Sequence, residues 1–219
     1  RVMTNFMINS LNENQDELIQ KALNDGLAPF GIAYTIDQYN KVDSTISDDF
    51  RNGARNATIF SLLIIFLYIF VRFRKWQYSL GAVAAVFHDV LLVLGVFSIT
   101  YTFMPFSMEI NQAFIAAVLT VIGYSLNDTV VVFDRIREFR RLHTSWEGHK
   151  TVNSALNSTL SRTINTSLTT LVVLLAIFIF GGEAIRGFMF ALIVGVLVGT
   201  YSSLFIATPV MFDTTRKKK

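Results

Sequence analysis

Residues 109–141 read EINQAFIAAVLTVIGYSLNDTVVVFDRIREFRR, and between Glu109 and Asp134 the one charged side chain is Asp128. At about 1.5 Å per residue this stretch is long enough to cross a ~30 Å hydrocarbon layer as a helix, which puts a carboxyl group at membrane depth. A charge there costs at least ~2.5–3.5 kcal/mol, so Asp128 is expected to face other helices or a wet cavity and to have a partner. Arg162 is the best candidate. It stands just before the next apolar run, 163–182, and the intervening segment returns the chain to the side it left. Both charges then fall at similar depth.

Working outward, the uncharged run 56–71 lies between Arg55 and Arg72 and reads as a first span, with Phe73 and Trp76 as interface anchors at its exit. A second span, 78–101, contains His88 and Asp89; the Asp128 helix is the third, 163–180 the fourth and 187–212 the fifth. With 52% hydrophobic residues in 219 and a mean hydropathy of +0.47, the chain is too apolar for a soluble domain. No cysteine is present, which excludes a disulfide framework and a thiolate metal site. The basic residues sit at helix ends, not on one soluble patch, so nucleic acid is not expected as a partner despite the pI of 9.2.

Residues 1–50 are polar and acidic. VMTNFMI and GIAYTIDQY read as strands and DELIQKALN as a short helix between them, with Leu18, Ile19, Ala22 and Leu23 on its apolar side. So short a β-α-β piece buries little core alone. It is expected to complete a small α/β domain begun upstream, since Arg1 is no initiator Met and no signal peptide opens the chain.

Orientation follows from the basic residues. Arg72, Arg74 and Lys75, then Arg135 to Lys150 and Arg162, then Arg216 to Lys219, fall on one side, which the positive-inside rule makes cytoplasmic. Residues 1–50 are then extracytoplasmic, and Asp128 and Arg162 lie toward the cytoplasmic half.

Two helix faces carry further expectations. In the fifth span Gly187, Ala191, Gly195, Gly199, Ser203 and Ala207 recur every four residues, a small-residue stripe suited to close helix packing. In the fourth, Arg162, Asn165, Thr166 and Thr169 share a face, which reads as the wall of a wet path continuing from a buried charge.

GYSLNDTVVVFDRIRE, followed by TLSRTINTSLTTL, closely resembles the SecF family of bacterial protein-export membrane proteins, the partner of SecD in the SecDF complex of the RND superfamily; the HDV at 88–90 and STISDDFRNGA at 44–54 are similar too. The resemblance covers the chain from Val42 to its end. It implies six spans with a periplasmic domain between the first two, of which this sequence lacks the first span and the front of that domain. It also implies a proton-motive-force-driven accessory of the SecYEG translocon that binds emerging preprotein. The family's intramembrane Asp of NDT and Arg of SRT match Asp128 and Arg162, and the acid supplied by SecD, separate or fused, is not in this sequence.

Burial penalises an Asp128 carboxylate and a nearby Arg162 favours it, so the balance rests on hydration, a useful property in a proton carrier. Asp89 has a relay or a structural hydrogen bond open to it. His88, on the side of Gly81, Ala84, Ala85 and Gly95, reads as a packing histidine; adjacent helical residues diverge by about 100°, so the pair is not expected to serve one site. Arg135, Arg137, Arg140 and Arg141 read as anchors touching anionic lipid. Phosphate loop, nucleophile elbow and paired catalytic acids are missing, so neither an enzyme nor a cofactor or metal is expected. An RND-type small-molecule exporter and a passive assembly scaffold are the alternatives; the short periplasmic segment speaks against the first, and the Asp128/Arg162 pair against the second.

The expected fold is a membrane all-α bundle of five transmembrane helices preceded by part of a small α/β, ferredoxin-like, extracytoplasmic domain. Residues 1–50 form that domain, 51–213 the bundle with a cytoplasmic loop at 134–161, and 214–219 a basic cytoplasmic tail. Proton-coupling residues are Asp128, Arg162, Asp89, Thr166 and Asn165; helix-packing residues are Gly195, Gly199 and His88. The expected location is the bacterial cytoplasmic (inner) membrane, multi-pass.

Overall fold

The structure is a computed structural model that describes residues 15–31 and 44–215. It divides into two compact units, Arg1–Ala57 and Thr58–Lys219, each taken here by itself.

In the first unit, α1 (Gln15–Leu27) runs into a 3₁₀ turn (Ala28–Phe30). Pro29 opens that turn, and Gly31 ends it in the left-handed region at φ 64°, where a side chain would be strained. Ile19 is buried, Leu23 and Leu27 are half-buried, and Leu18 is exposed, so the sheltered stripe is 19/23/27. The next helix, α2 (Ser44–Phe73), begins inside the segment assigned above to the α/β domain. Every regular element among the described residues is helical, which overturns the ferredoxin-like α/β reading. VMTNFMI and nearly all of GIAYTIDQY lie outside the described residues. The physical reason for the error at 44–50 is continuity: SDDFRNGA has no period-two apolar pattern, and a helix already committed to the membrane run extends backward through it at little cost.

In the second unit α3 (Trp76–Thr100), α4 (Gln112–Leu142) and α5 (Gly148–Phe180) follow. The last span is α6 (Glu183–Ser202), a π-helical turn (Ser203–Ala207) and α7 (Thr208–Thr215), without a break between them. Five helices are long and apolar enough to cross a membrane, and the protein is a multi-pass membrane protein. α2 ends where Arg74 turns to φ 55° and its N–H reaches the Phe70 carbonyl, an αL stop made without glycine. The helices project beyond their apolar runs, so only 143–147 is non-helical between α4 and α5. Asn111 caps α4, its side chain accepting from Phe114 N–H at 3.1 Å.

Half of the most apolar window of the last span (50%) and 44% of that of α4 are buried, against 11% for α2 and for α5. α4 and α6 therefore form the centre and α2 and α5 the periphery. The core is two apolar clusters with a polar layer between them. One surrounds Phe73, stacked on Tyr78 at 4.9 Å, with Phe133 edge-on to both. The other holds Phe97, Phe114, Phe106 and Phe190 near the opposite helix ends.

The π turn has a local cause. Pro209 has no N–H to return to the carbonyl four residues back and its ring crowds that turn, so the helix widens; Thr208 Oγ1 donates to Ser203 O at 3.1 Å. Ala207 O then lies 2.5 Å from where a Cβ on Gly81 would be, which brings α3 against the last span.

A Cβ on Gly195 would collide with the Val121 side chain, and one on Gly199 would meet Ser125 Cβ at 2.9 Å. Gly195→Leu is expected to cost about 1–3 kcal/mol by overpacking, read as a lower unfolding midpoint in detergent. Leu197→Ile, at a position 54% exposed on the same helix, should leave the midpoint unchanged. Equal tolerance at both positions would show that the glycine face is not in contact with α4.

Candidate functional site: an intramembrane polar layer

The polar layer contains two acids in opposite situations. Asp89, on α3, is completely buried, and its Oδ2 accepts from Ser125 Oγ of α4 at 2.6 Å and from Ser202 Oγ of α6 at 2.8 Å. Its Oδ1 lies 3.1 Å from His88 Nδ1. The His88 ring is partly exposed and sits 6.3 Å from the Tyr201 ring. Although the two residues diverge around the helix, the imidazole turns back toward its neighbour, and a longer side chain thus undoes what helical spacing alone implies. Asp89 ties three helices together through hydrogen bonds from α4 and α6.

Asp128, on α4, is also buried, at 5% exposure, but its Oδ2 has no hydrogen-bond partner among the described residues. Arg162 of α5 is not in ion-pair contact with it; the guanidinium is exposed, lines a cavity at the ends of the helices, and is the charged group that acts on the Asp128 carboxyl. Thr163 Oγ1, buried beside Arg162 in sequence, is likewise without a partner. Asp128 Oδ2 and Thr163 Oγ1, with Ser79 Oγ, are thus buried polar atoms that no described protein group satisfies, an uncommon condition for buried groups.

The α5 face that carries Arg162, Asn165, Thr166 and Thr169 is turned outward in this chain. Arg162, Asn165 and Thr169 are exposed and Thr166 half-buried, with the Thr166 and Thr169 hydroxyls donating to carbonyls of their own helix. The buried face of α5 is instead Thr159, Thr163 and Ser167, spaced by four. Ser167 Oγ is 2.6 Å from Thr200 Oγ1 and receives Tyr124 OH at 3.4 Å.

Gly195 and Gly199 lie where α6 crosses α4, and Gly199 stands next to the Asp89 ligand Ser125. Ser125, Ser202 and the bonded pair Thr129 and Ser203 (2.9 Å) are the residues that sequence reasoning missed. The signal available was hydroxyls one turn before and directly after Asp128 and beside the glycine stripe, ordinary in a membrane helix until an acid is found opposite.

Residues 21–217 match the family model described as the C-terminal part of the protein export membrane proteins SecD and SecF. The chain is 54% identical over 176 residues to the protein translocase subunit SecF of Rhodothermus marinus, covering 80% of this chain and 57% of that protein. It is 43% identical over 178 residues to the protein translocase subunit SecDF of Brucella abortus, covering 81% of this chain and 23% of that one. A crystal structure of SecDF in a super-membrane-facing form superposes with a TM-score of 0.72 at 33% identity, over 94% of this chain and 26% of its own. The chain thus spans a little over half the length of the SecF relative. On the family match and these identities together, the chain belongs to the SecD/SecF family of protein-export membrane proteins.

Proposed function

We propose that the chain is the SecF-type part of a SecDF accessory complex, which uses the proton motive force to promote preprotein translocation across the cytoplasmic membrane through the SecYEG translocon. The observation that carries this reading is Asp128: a buried carboxyl with an unpartnered oxygen, within the electrostatic reach of an arginine that is not bonded to it. Proton uptake and release there costs no existing hydrogen bond on that oxygen. When ionised, the carboxylate draws Arg162 inward; when protonated, it releases it, so protonation becomes relative movement of α4 and α5. Asp89, whose three contacts leave it no such freedom, holds the frame against which that movement occurs.

SecD is the partner this reading assigns to the outward polar surface. On α4 the exposed row Ala116, Thr120, Gly123 and Asn127 is small or polar, and on α5 Arg162, Asn165 and Thr169 are exposed. Polar side chains facing lipid are costly, and small residues favour a second helix at close range, so both rows fit the membrane helices of another protein. Emerging preprotein is the substrate in this reading.

Two experiments test it. In sealed vesicles translocating a preprotein, Asp128→Asn keeps the shape but cannot titrate, and is expected to abolish the gradient-dependent increment at unchanged expression. Arg162→Lys keeps the charge but loses the planar fork, and is expected to retain only part of that increment. A fully active Asp128→Asn variant would end the proton-carrier assignment. For orientation, the cysteine-free chain accepts single probes at exposed sites. An impermeant thiol reagent on intact cells is expected to label Glu183→Cys and to leave Ser145→Cys unlabelled until permeabilisation; the reverse would invert the topology.

A further inference from the structure

At the basic end of the bundle, α2, α4 and α5 border an open cavity of about 620 Å³, of whose lining the proton reading uses Arg162 alone. Five arginines line it, Arg72, Arg135, Arg137, Arg141 and Arg162, together with the acids Asp134 and Glu138. The acids are spent. Arg72 Nη2 is 2.7 Å from Asp134 Oδ2, and Arg135 Nη1 is 2.7 Å from Glu138 Oε2. Arg137, Arg141 and Arg162 have no ion-pair partner among the described residues, and Arg137 makes only a 3.3 Å contact to the Arg72 carbonyl. Guanidiniums converging on a cavity with their carboxylates already committed elsewhere present planar paired donors, the geometry that matches a phosphate.

The level of the cavity says where the phosphate comes from. Along α2, Phe60, Ile64 and Tyr68 precede Arg72 at four-residue spacing and are 61%, 64% and 55% exposed, an apolar ridge running from the hydrocarbon to the cavity. Tyr68 lies one turn before Arg72, and the exposed Trp76 opens α3 just beyond the bend that follows it, aromatic residues of the kind expected at headgroup depth. A free anion has no use for the ridge. A lipid would use both features, phosphate in the cavity and chains along α2.

We infer that this cavity is a binding site for the phosphate of an anionic phospholipid, held by Arg137 and Arg141 together with Arg162. The lipid would brace α2 against α4 and α5 at the basic end of the bundle. This goes beyond a general attraction of basic residues to the membrane surface, because it names a cavity and three side chains. It shares Arg162 with the proton reading, so it is tested at Arg137 and Arg141, which that reading leaves unused.

Native mass spectrometry of the full chain, released from bilayers of mixed phosphatidylglycerol and phosphatidylcholine, reads the retained lipid directly. The expected result is preferential retention of phosphatidylglycerol, lowered about tenfold or more in Arg137→Gln/Arg141→Gln, since each basic residue near the surface contributes ~1 kcal/mol. Arg137→Lys/Arg141→Lys, which keeps the charge and spares the fold, is expected to fall between. Arg74→Gln/Lys75→Gln removes the same charge outside the cavity and should retain lipid normally. Equal loss in the two Gln pairs would overturn the site in favour of surface charge alone. Displacement of the lipid by millimolar inorganic phosphate would overturn the lipid assignment in favour of a free-anion site. Full retention in both the Gln and the Lys variants at 137 and 141 would overturn it altogether.

Discussion

The contact on which the rest of the bundle depends is the approach of α6 to α4 at Gly195 and Gly199. No side chain fits there, since even a methyl group at Gly195 would enter Val121. Because the backbones come so close, Ser125 and Ser202 both reach the Asp89 carboxyl from different helices. A membrane gives helices little hydrophobic reason to associate, so packing without gaps and bonds between helices must do it. Here the two are one device.

That device gives the two intramembrane acids different surroundings. Asp89 is saturated and central, and disturbing it would release three helices at once. Asp128 sits one turn further along α4 from Ser125, with an oxygen free and an arginine in reach but not in contact. Apolar clusters rich in aromatic residues lie on both sides of the polar layer. The π turn just beyond Ser202 adds a spare residue of slack in the last span, placed beside the saturated acid and against Gly81 of α3.

The periphery is built differently. α2 shows lipid-like residues over most of its span, whereas the outward rows of α4 and α5 are small and polar. A chain that covers a little over half of its SecF relative and a quarter of a SecDF structure has a natural use for two kinds of surface, one for lipid and one for protein.

By itself the sequence determined the apolar spans, the lone acid Asp128 within one of them, the four-residue glycine stripe and the family. Each of these is a one-dimensional property: run length, charge position, period, or a contiguous motif such as GYSLNDTVVVFDRIRE. Strand-like alternation near the N-terminus was a weaker signal, and the domain boundary drawn from it at residue 50 falls inside a helix that begins at Ser44. What only the tertiary structure decided is which helix faces meet. The rotation of α5, which buries Thr159, Thr163 and Ser167 and turns Asn165 and Thr169 outward, is set by packing against α4 and α6. The donors to Asp89 lie 36 and 113 residues away along the chain, and no local pattern records a bond between side chains that only folding brings together.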